Sequence, residues 1–434
     1  MILIVGAGPA GLSAGYHLDA DYLILEREAE PGGLCRSFEL GGTTFDLGGH
    51  AFFTRHAYVR ELVEKLSGAG LFTQPRTAFV YSHGTYVRYP FQANLHGLPL
   101  DVVRECLTGL YEAVAARPNG RLRSVKEWIE VSFGHGISRH FLTPYNEKLW
   151  AHPLEEIASE WTSERVVNPD FDAIVAGALT PHDFRDYPNA VVSYPAKGGF
   201  WNLYEGFLPR VGGRLRRGTV RSVDLGRRVV VTEDGERIPY DHLISTMPLD
   251  ELVAAAEDAP ASCREAAAVL RHSSLHLVNL VVDRPRLTEM QRVYVADPDV
   301  PFHKLVVNSN SSPSLRALPC TGIQAEISWS PHKHVAREGL EHRVLEALHR
   351  MGILERDDHV LDLNVVSIDY AYPVYTAEPA AARSHLLETL EGLGVSCAGR
   401  FGEWLYVNSD DAVLRGKLRA EALAPRPVAA PTAS

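Results

Sequence analysis

Cysteine is scarce and unpatterned in this chain of 434 residues: Cys35, Cys106, Cys263, Cys320 and Cys397 are scattered, odd in number and form no CxxC pair. That argues against a disulfide or zinc framework and reads as reduced thiols, which suits the cytoplasm. No stretch approaches the roughly 20 apolar residues of a membrane span, and the opening apolar run is too short for a signal peptide. Basic residues gather into no run or stripe, and the formal net charge is -11. A protein built to coat nucleic acid is thereby excluded, although a local positive site is not. There is no convincing internal repeat. The closing LAPRPVAAPTAS (423–434) has little to bury and reads as a disordered tail. What remains is a globular chain of two or three domains, with no membrane partner and with homo-oligomerisation left open.

The richest local signal is at the start. Strand-forming Ile2 to Val5 runs directly into Gly6, Gly8 and Gly11, and a helix follows from about Pro9. The three glycines of such a βαβ unit give a tight turn, close approach of backbone to a pyrophosphate, and close packing of helix on strand. The helix then offers free N–H groups and its positive dipole end to that pyrophosphate. Glu26 lies 20 positions past Gly6, where a second strand ends and a carboxylate can accept from a ribose hydroxyl. The chain continues as EAEPGGLCRS, in which Gly32, Gly33 and Arg36 resemble the second glycine motif of flavoproteins. Enzymes that use only NAD usually lack that extension, so FAD is the favoured ligand over an ordinary surface turn.

Periodicity sets out the rest as an α/β protein. A discontinuous Rossmann-like FAD-binding domain is expected over 1–70, 190–250 and 370–422. A helical insert spans 98–185, where DVVRECLTGLYEAVAA, SVKEWIEVSF and RHFLTPYNEKLW carry helical apolar spacing. A mostly antiparallel sheet domain covers 71–97, with a hairpin at His83–Gly84, and 251–369, with one helix around Arg337 to Met351.

The ordered set GAGPAG, PGGLCRS, DLGGHAFF, YPFQAN, FLTPYNEKLW, SERVV, YPAKGGFWN, YDHLISTMPL, PFHKLVVNSNSSP, YPVYT and GRFGEWLY resembles the UDP-galactopyranose mutases, and more closely their eukaryotic-type branch. The resemblance implies an isomerase that uses a redox cofactor without net redox. Reduced FAD bonds through N5 to the sugar's anomeric carbon, the nucleoside diphosphate leaves, and the sugar ring reopens and recloses from pyranose to furanose. NADPH or NADH is the implied reductant, and a nucleotide-diphosphate sugar the substrate.

Carried onto this sequence, Gly48, Gly49 and His50 match a loop lying over the flavin, and Arg400 matches an arginine beside it. Ser409, Asp410 and Asp411 could cap a helix facing the flavin's pyrimidine edge. Arg165 matches one of two phosphate-clamping arginines, and the other place is held by Lys304, which offers a mobile point charge in place of a planar fork. Tyr294, Tyr372 and Tyr406 match tyrosines that bind phosphate or border the sugar. Phe141, Tyr145, Asn146 and Trp150 match a base-stacking face, with Tyr89 and Gln92 lining the same cleft. Taken alone, the charges would be surface residues and the aromatic stripe core packing; Asn146 and Lys148, poorly suited to a core, favour a pocket wall. No metal site is expected. Two other readings stay open: an amine oxidase, desaturase or protoporphyrinogen-type oxidase on the same fold, and a flavin-bound protein that holds nucleotide sugars without converting them.

Overall fold

The computed structural model describes residues 1–116, 122–159, 162, 166–181, 187, 189–376 and 379–423. The expected tail, from 424 onward, lies outside them. A five-stranded parallel sheet runs in the order Val395–Cys397, His242–Ser245, Ile2–Val5, Tyr22–Glu26, Leu215–Arg217. Its strands come from three separate stretches of chain, because strands buried on both faces need helical crossovers between them. Helix Pro9–His17 leaves the first strand through Gly6, whose φ of +97° favours glycine.

The second layer is a seven-stranded sheet: Val360–Val374, Arg271–Val282, Thr321–Trp329, Lys304–Val307, Arg292–Val295, Ala78–Ser82, Thr85–Arg88. All its neighbours are antiparallel except Arg292–Val295 with Ala78–Ser82. The expected hairpin is present, closed by His83 and Gly84 at φ +51° and +74°, the left-handed pair that a two-residue turn requires. Leu71–Pro75 instead pairs with Val191–Pro195 in a separate ribbon. The helix expected at 337–351 runs over Leu340–Arg350, and helices Leu249–Ala255 and Ala261–Ala268 precede the long strands.

Helices Leu100–Ala116, Val125–Ile137, Thr143–Trp150 and Phe171–Leu179 build the insert. A π-helical turn, Ser138–Leu142, joins the second to the third. Their apolar faces close over Phe91, Phe133 and Trp150, which are buried with Tyr294 of the large sheet. No helix among the described residues is long and apolar enough to cross a membrane.

The two ends of the chain meet where Pro9–His17 packs on Ser409–Ala422. A Cβ on Gly416 would sit 2.0 Å from the Ala10 carbonyl oxygen. Backbone cannot yield as a flexible side chain can, so Gly416→Ala should destabilise the protein by about 1–3 kcal/mol. Leu418→Ala, at an exposed site on the same helix, should stay within about 0.5 kcal/mol. Thermal unfolding of the two variants beside the parent checks this.

Candidate functional site

The two glycine motifs converge. Gly32 N–H donates to the Ala7 carbonyl at 2.8 Å, and a Cβ on Gly33 would lie 3.2 Å from the Gly8 Cα. Backbone thus faces backbone beside a helix N-terminus, the surface a pyrophosphate needs. Glu26, buried at its strand end, accepts from Ala7 N–H at 2.7 Å and Glu28 N–H at 3.0 Å. Each carboxylate oxygen keeps a further acceptor site for a ribose hydroxyl. Arg36 donates to the Gly33 carbonyl at 3.2 Å and pairs with Glu28 at 3.2 Å, so the glycine turn itself holds its guanidinium.

Helix Ser409–Ala422 begins differently from the expectation. Its N-cap is Asn408, which makes no side-chain cap bond, and Asp410 and Asp411 sit inside the first turn. There they complement the helix dipole and do not cap it. Asp411 meets His56 at 3.1 Å, while buried Asp410 keeps Oδ1 without a partner among the described residues. An orphaned acceptor at the start of a helix that packs on Pro9–His17 fits an extended dinucleotide cofactor such as FAD.

The loop after strand Thr43–Asp46 is tied to the fold at several polar groups. Asp46 accepts from Ser37 Oγ and Tyr194 Oη, each at 2.7 Å, and from Phe200 N–H at 2.9 Å. Gly49 N–H donates to Glu326 Oε1 at 2.6 Å, and Lys304 Nζ donates to the Gly49 carbonyl at 3.3 Å. Lys304 and Glu326 pair at 2.8 Å, with the Glu326 side chain only 1% exposed. Arg292 donates to the His50 carbonyl at 2.7 Å. His50 stacks on Phe200 with ring centroids 4.7 Å apart, and its Nδ1 is buried with no partner among the described residues. Burial, followed by the charges of Arg400, Lys304 and Arg292, pushes its pKa down to about 3. It is a neutral imidazole at neutral pH.

Beyond the loop stands an aromatic enclosure. Tyr89 and Tyr294 lie 5.0 Å apart, Tyr145 meets Tyr294 at 5.7 Å, and Tyr372 meets Tyr406 at 5.6 Å. Trp150 closes the second pair at 6.2 and 5.7 Å. Burial raises the pKa values of Tyr89, Tyr145 and Tyr372, so these phenols stay protonated and able to donate. Arg400 lies over Tyr372 and Tyr406 at 5.7 and 5.5 Å, held by the Val407 and Ala371 carbonyls.

Arg76 lies over Tyr89 at 5.1 Å and Tyr294 at 5.6 Å and donates to the Tyr294 hydroxyl. Its Nη1 is buried without a partner among the described residues. Sequence reading missed Arg76, Arg292 and Glu326. For Glu326 the available signal was a lone charge inside the otherwise uncharged GIQAEISW strand.

The structure separates the remaining expected residues by what they touch. Arg165 lies outside the described residues. Lys304 is engaged by Glu326 and Gly49. Phe141 is buried between Phe91 and Tyr145, at 4.9 and 5.1 Å. Gln92 donates to the Val167 carbonyl. Asn146 bridges the Leu142 carbonyl at 2.7 Å and Trp150 Nε1 at 3.2 Å, which locks Trp150 on its own helix. Lys148, taken as a mark of a pocket wall, is instead buried against the Asp297 and Val300 carbonyls at 3.0 and 2.8 Å. Burial, aided by Lys333, pushes its pKa down to about 7.

A histidine held neutral by the fold titrates below the usual range. The His50 Cε1–H resonance, assigned by its loss in His50→Gln, should therefore not shift between about pH 5 and 8. The linked stability has a defined sign. The unfolded chain takes up this proton first, so His50 erodes stability as pH falls below about 6.5 and stops doing so below its folded value. A resonance titrating near pH 6.5 would contradict the burial described here.

The model of the family "Flavin containing amine oxidoreductase" matches residues 9–424. A solved structure of reduced UDP-galactopyranose mutase superposes with a TM-score of 0.92 at 27% identity, covering 97% of this chain and 93% of that one. A putative protoporphyrinogen oxidase from Exiguobacterium sp. reaches a TM-score of 0.72 at 19% identity, covering 97% and 98%. A cyclohexylamine oxidase from Brevibacterium oxydans reaches 0.71 at 16%, again covering 97% and 98%; these last two speak to the fold alone. The paired glycine turns, the unpartnered Oδ1 of buried Asp410 and a family match over nearly the whole chain lead to one conclusion: this protein belongs to the flavin-containing amine oxidoreductases, with FAD as its cofactor.

Proposed function

We propose that the chain is a flavin-dependent mutase that interconverts pyranose and furanose forms of a nucleoside-diphosphate sugar, with UDP-galactopyranose as the default substrate. The observation that carries this reading is the enclosure of phenols around the unsatisfied guanidinium of Arg76, next to the cation-lined loop at His50. In a chain of net charge -11, gathering Arg76, Arg292 and Arg400 near one loop, with Lys304 there balanced by Glu326, favours an anionic substrate. A cationic amine would be repelled. The structural neighbour at 27% identity, itself a reduced UDP-galactopyranose mutase, supports the same reading.

Bound and reduced, the FAD would supply the nucleophile for the sugar's anomeric carbon; NADPH or NADH is the proposed reductant. The residues have divisible tasks. Arg76 and the hydroxyls of Tyr89, Tyr294, Tyr372 and Tyr406 hold the diphosphate before and after it leaves, as neutral donors and one fixed cation can without adding a mobile charge. Arg165 is assigned to the same diphosphate. Trp150 and Tyr145 wall the enclosure and exclude water, and half-buried Tyr145 leaves an aromatic face for a base. Neutral His50 adds no positive charge over the flavin and leaves Nδ1 as a hydrogen-bonding group facing the site. Lys304 acts one step back by fixing the loop that carries His50.

The rival reading, an oxidase of amines, rests on the family and on the fold shared with the cyclohexylamine oxidase. Anaerobic reduction of the yellow protein followed by a panel of nucleotide hexopyranoses separates the two. The mutase yields a furanose product and consumes no reductant per turnover. No furanose from that anaerobic panel, together with peroxide formed in proportion to amine consumed when the oxidised protein is given amines in air, would overturn the proposal. Arg76→Ala should raise KM for the nucleotide sugar by about 10- to 100-fold, the loss of one charge-assisted set of hydrogen bonds, with FAD content unchanged.

A further inference from the structure

A second polar centre lies just past the C-terminal end of helix Thr143–Trp150. Directly after the helix, His152 is nearly buried and pairs through Nε2 with Glu156 at 3.0 Å. His332 stands against it with ring centroids 4.1 Å apart, edge to face. One potential ligand atom from each of His152, Glu156 and His332 lies within 4.8 Å of the other two. Among the described residues the other group with this property is His56, Asp410 and Asp411, which belongs to the cofactor helix.

The two histidines are brought together by backbone ties and not by chance rotamers. Ser330 Oγ donates to the Ala151 carbonyl, immediately before His152. The same oxygen accepts from His332 N–H at 3.0 Å and Lys333 N–H at 3.3 Å. Ser330 and Lys333 close a tight turn that presents His332. The 152–158 segment is tied down in turn, with Ile157 bridged to Thr376 and Ala158 to Ser124. A cleft of about 770 Å³ opens in front, lined by all three side chains together with Arg123 and Arg271.

Neutral imidazole is the form that binds a metal ion. Tetrahedral zinc, with bonds of roughly 2.0–2.1 Å, needs ligand atoms about 3.4 Å apart. Exposed Glu156 and His332 can close the remaining distance by side-chain rotation.

We propose that His152, Glu156 and His332 form a binding site for zinc or a similar late first-row divalent cation, with its fourth position open to the cleft. Two nitrogens and one carboxylate oxygen suit that class and not calcium or magnesium, which take oxygen sets. The ion would clamp the end of the helix bearing Tyr145 and Trp150 to the turn that follows strand Thr321–Trp329. This site is independent of the substrate assigned above.

The test uses untagged, FAD-loaded protein stripped with a chelator and then titrated with Zn²⁺ by calorimetry, and with Co²⁺ by visible absorption. The expected result is one ion per chain, tetrahedral cobalt bands and a raised thermal midpoint. His332→Ala and Glu156→Gln, both at exposed positions, should each weaken affinity at least about tenfold and keep full FAD content. His342→Ala, in the exposed His342–Glu346 pair, should leave it unchanged. Failure to bind above the His332→Ala background, or undiminished affinity in that variant, would overturn the site.

Discussion

One buried ion pair governs the geometry of the cofactor-side loop. Lys304 and Glu326 face each other from adjacent antiparallel strands, in direct register. Between them they engage Gly49 at both its N–H and its carbonyl. A buried pair of this kind contributes little net stability, because desolvation offsets the attraction. Removing one partner is another matter and costs about 3–5 kcal/mol, since the survivor stays buried and charged. The pair's value is therefore positional. It turns a glycine-rich loop, which would otherwise be free to move, into a fixed platform for His50.

The same cationic density sets the state of the groups around it. Lys304, Arg292 and Arg400 add to burial in keeping His50 neutral. Across the enclosure, burial keeps the phenols of Tyr89, Tyr145 and Tyr372 protonated. The outcome is a region of fixed positive charge and neutral donors inside an acidic chain. Such a region selects for an anion by electrostatics before any contact is made. The fold alone would serve an oxidase equally well; the proposal of a diphosphate substrate rests on the arrangement of charges.

How much of this was legible in the sequence depends on the distance over which each feature is encoded. The nucleotide unit is local: Gly6, Gly8, Gly11 and Glu26 stand at offsets set by one strand, one turn and one helix, and the fold reproduces them. The His83–Gly84 hairpin is equally local. The Gly49–Glu326 bond spans 277 residues, so no window of sequence could present it. Arg76 acquires meaning only when Tyr294, 218 residues away, is brought to it. Lys148 and Asn146 misled for a related reason. A polar side chain in an apolar stripe suggests a solvent-facing wall, yet carbonyls from Asp297, Val300 and Leu142 satisfy both inside the core. The helix start at Asn408 lay one residue before the cluster that looked like its cap, within the usual uncertainty of helix ends.

The most direct measurement is hydrogen exchange at the loop. Replacing both partners, Lys304→Met with Glu326→Ala, removes the pair without leaving an orphaned charge. A peptide covering Leu47–Phe52 should then exchange faster by about tenfold or more, the loss of roughly 1.4 kcal/mol or more of local protection, while the strands Ile2–Val5 and Tyr22–Glu26 stay as protected as before. Exchange in the Leu47–Phe52 peptide as slow as in the parent protein would show that the pair does not hold the loop.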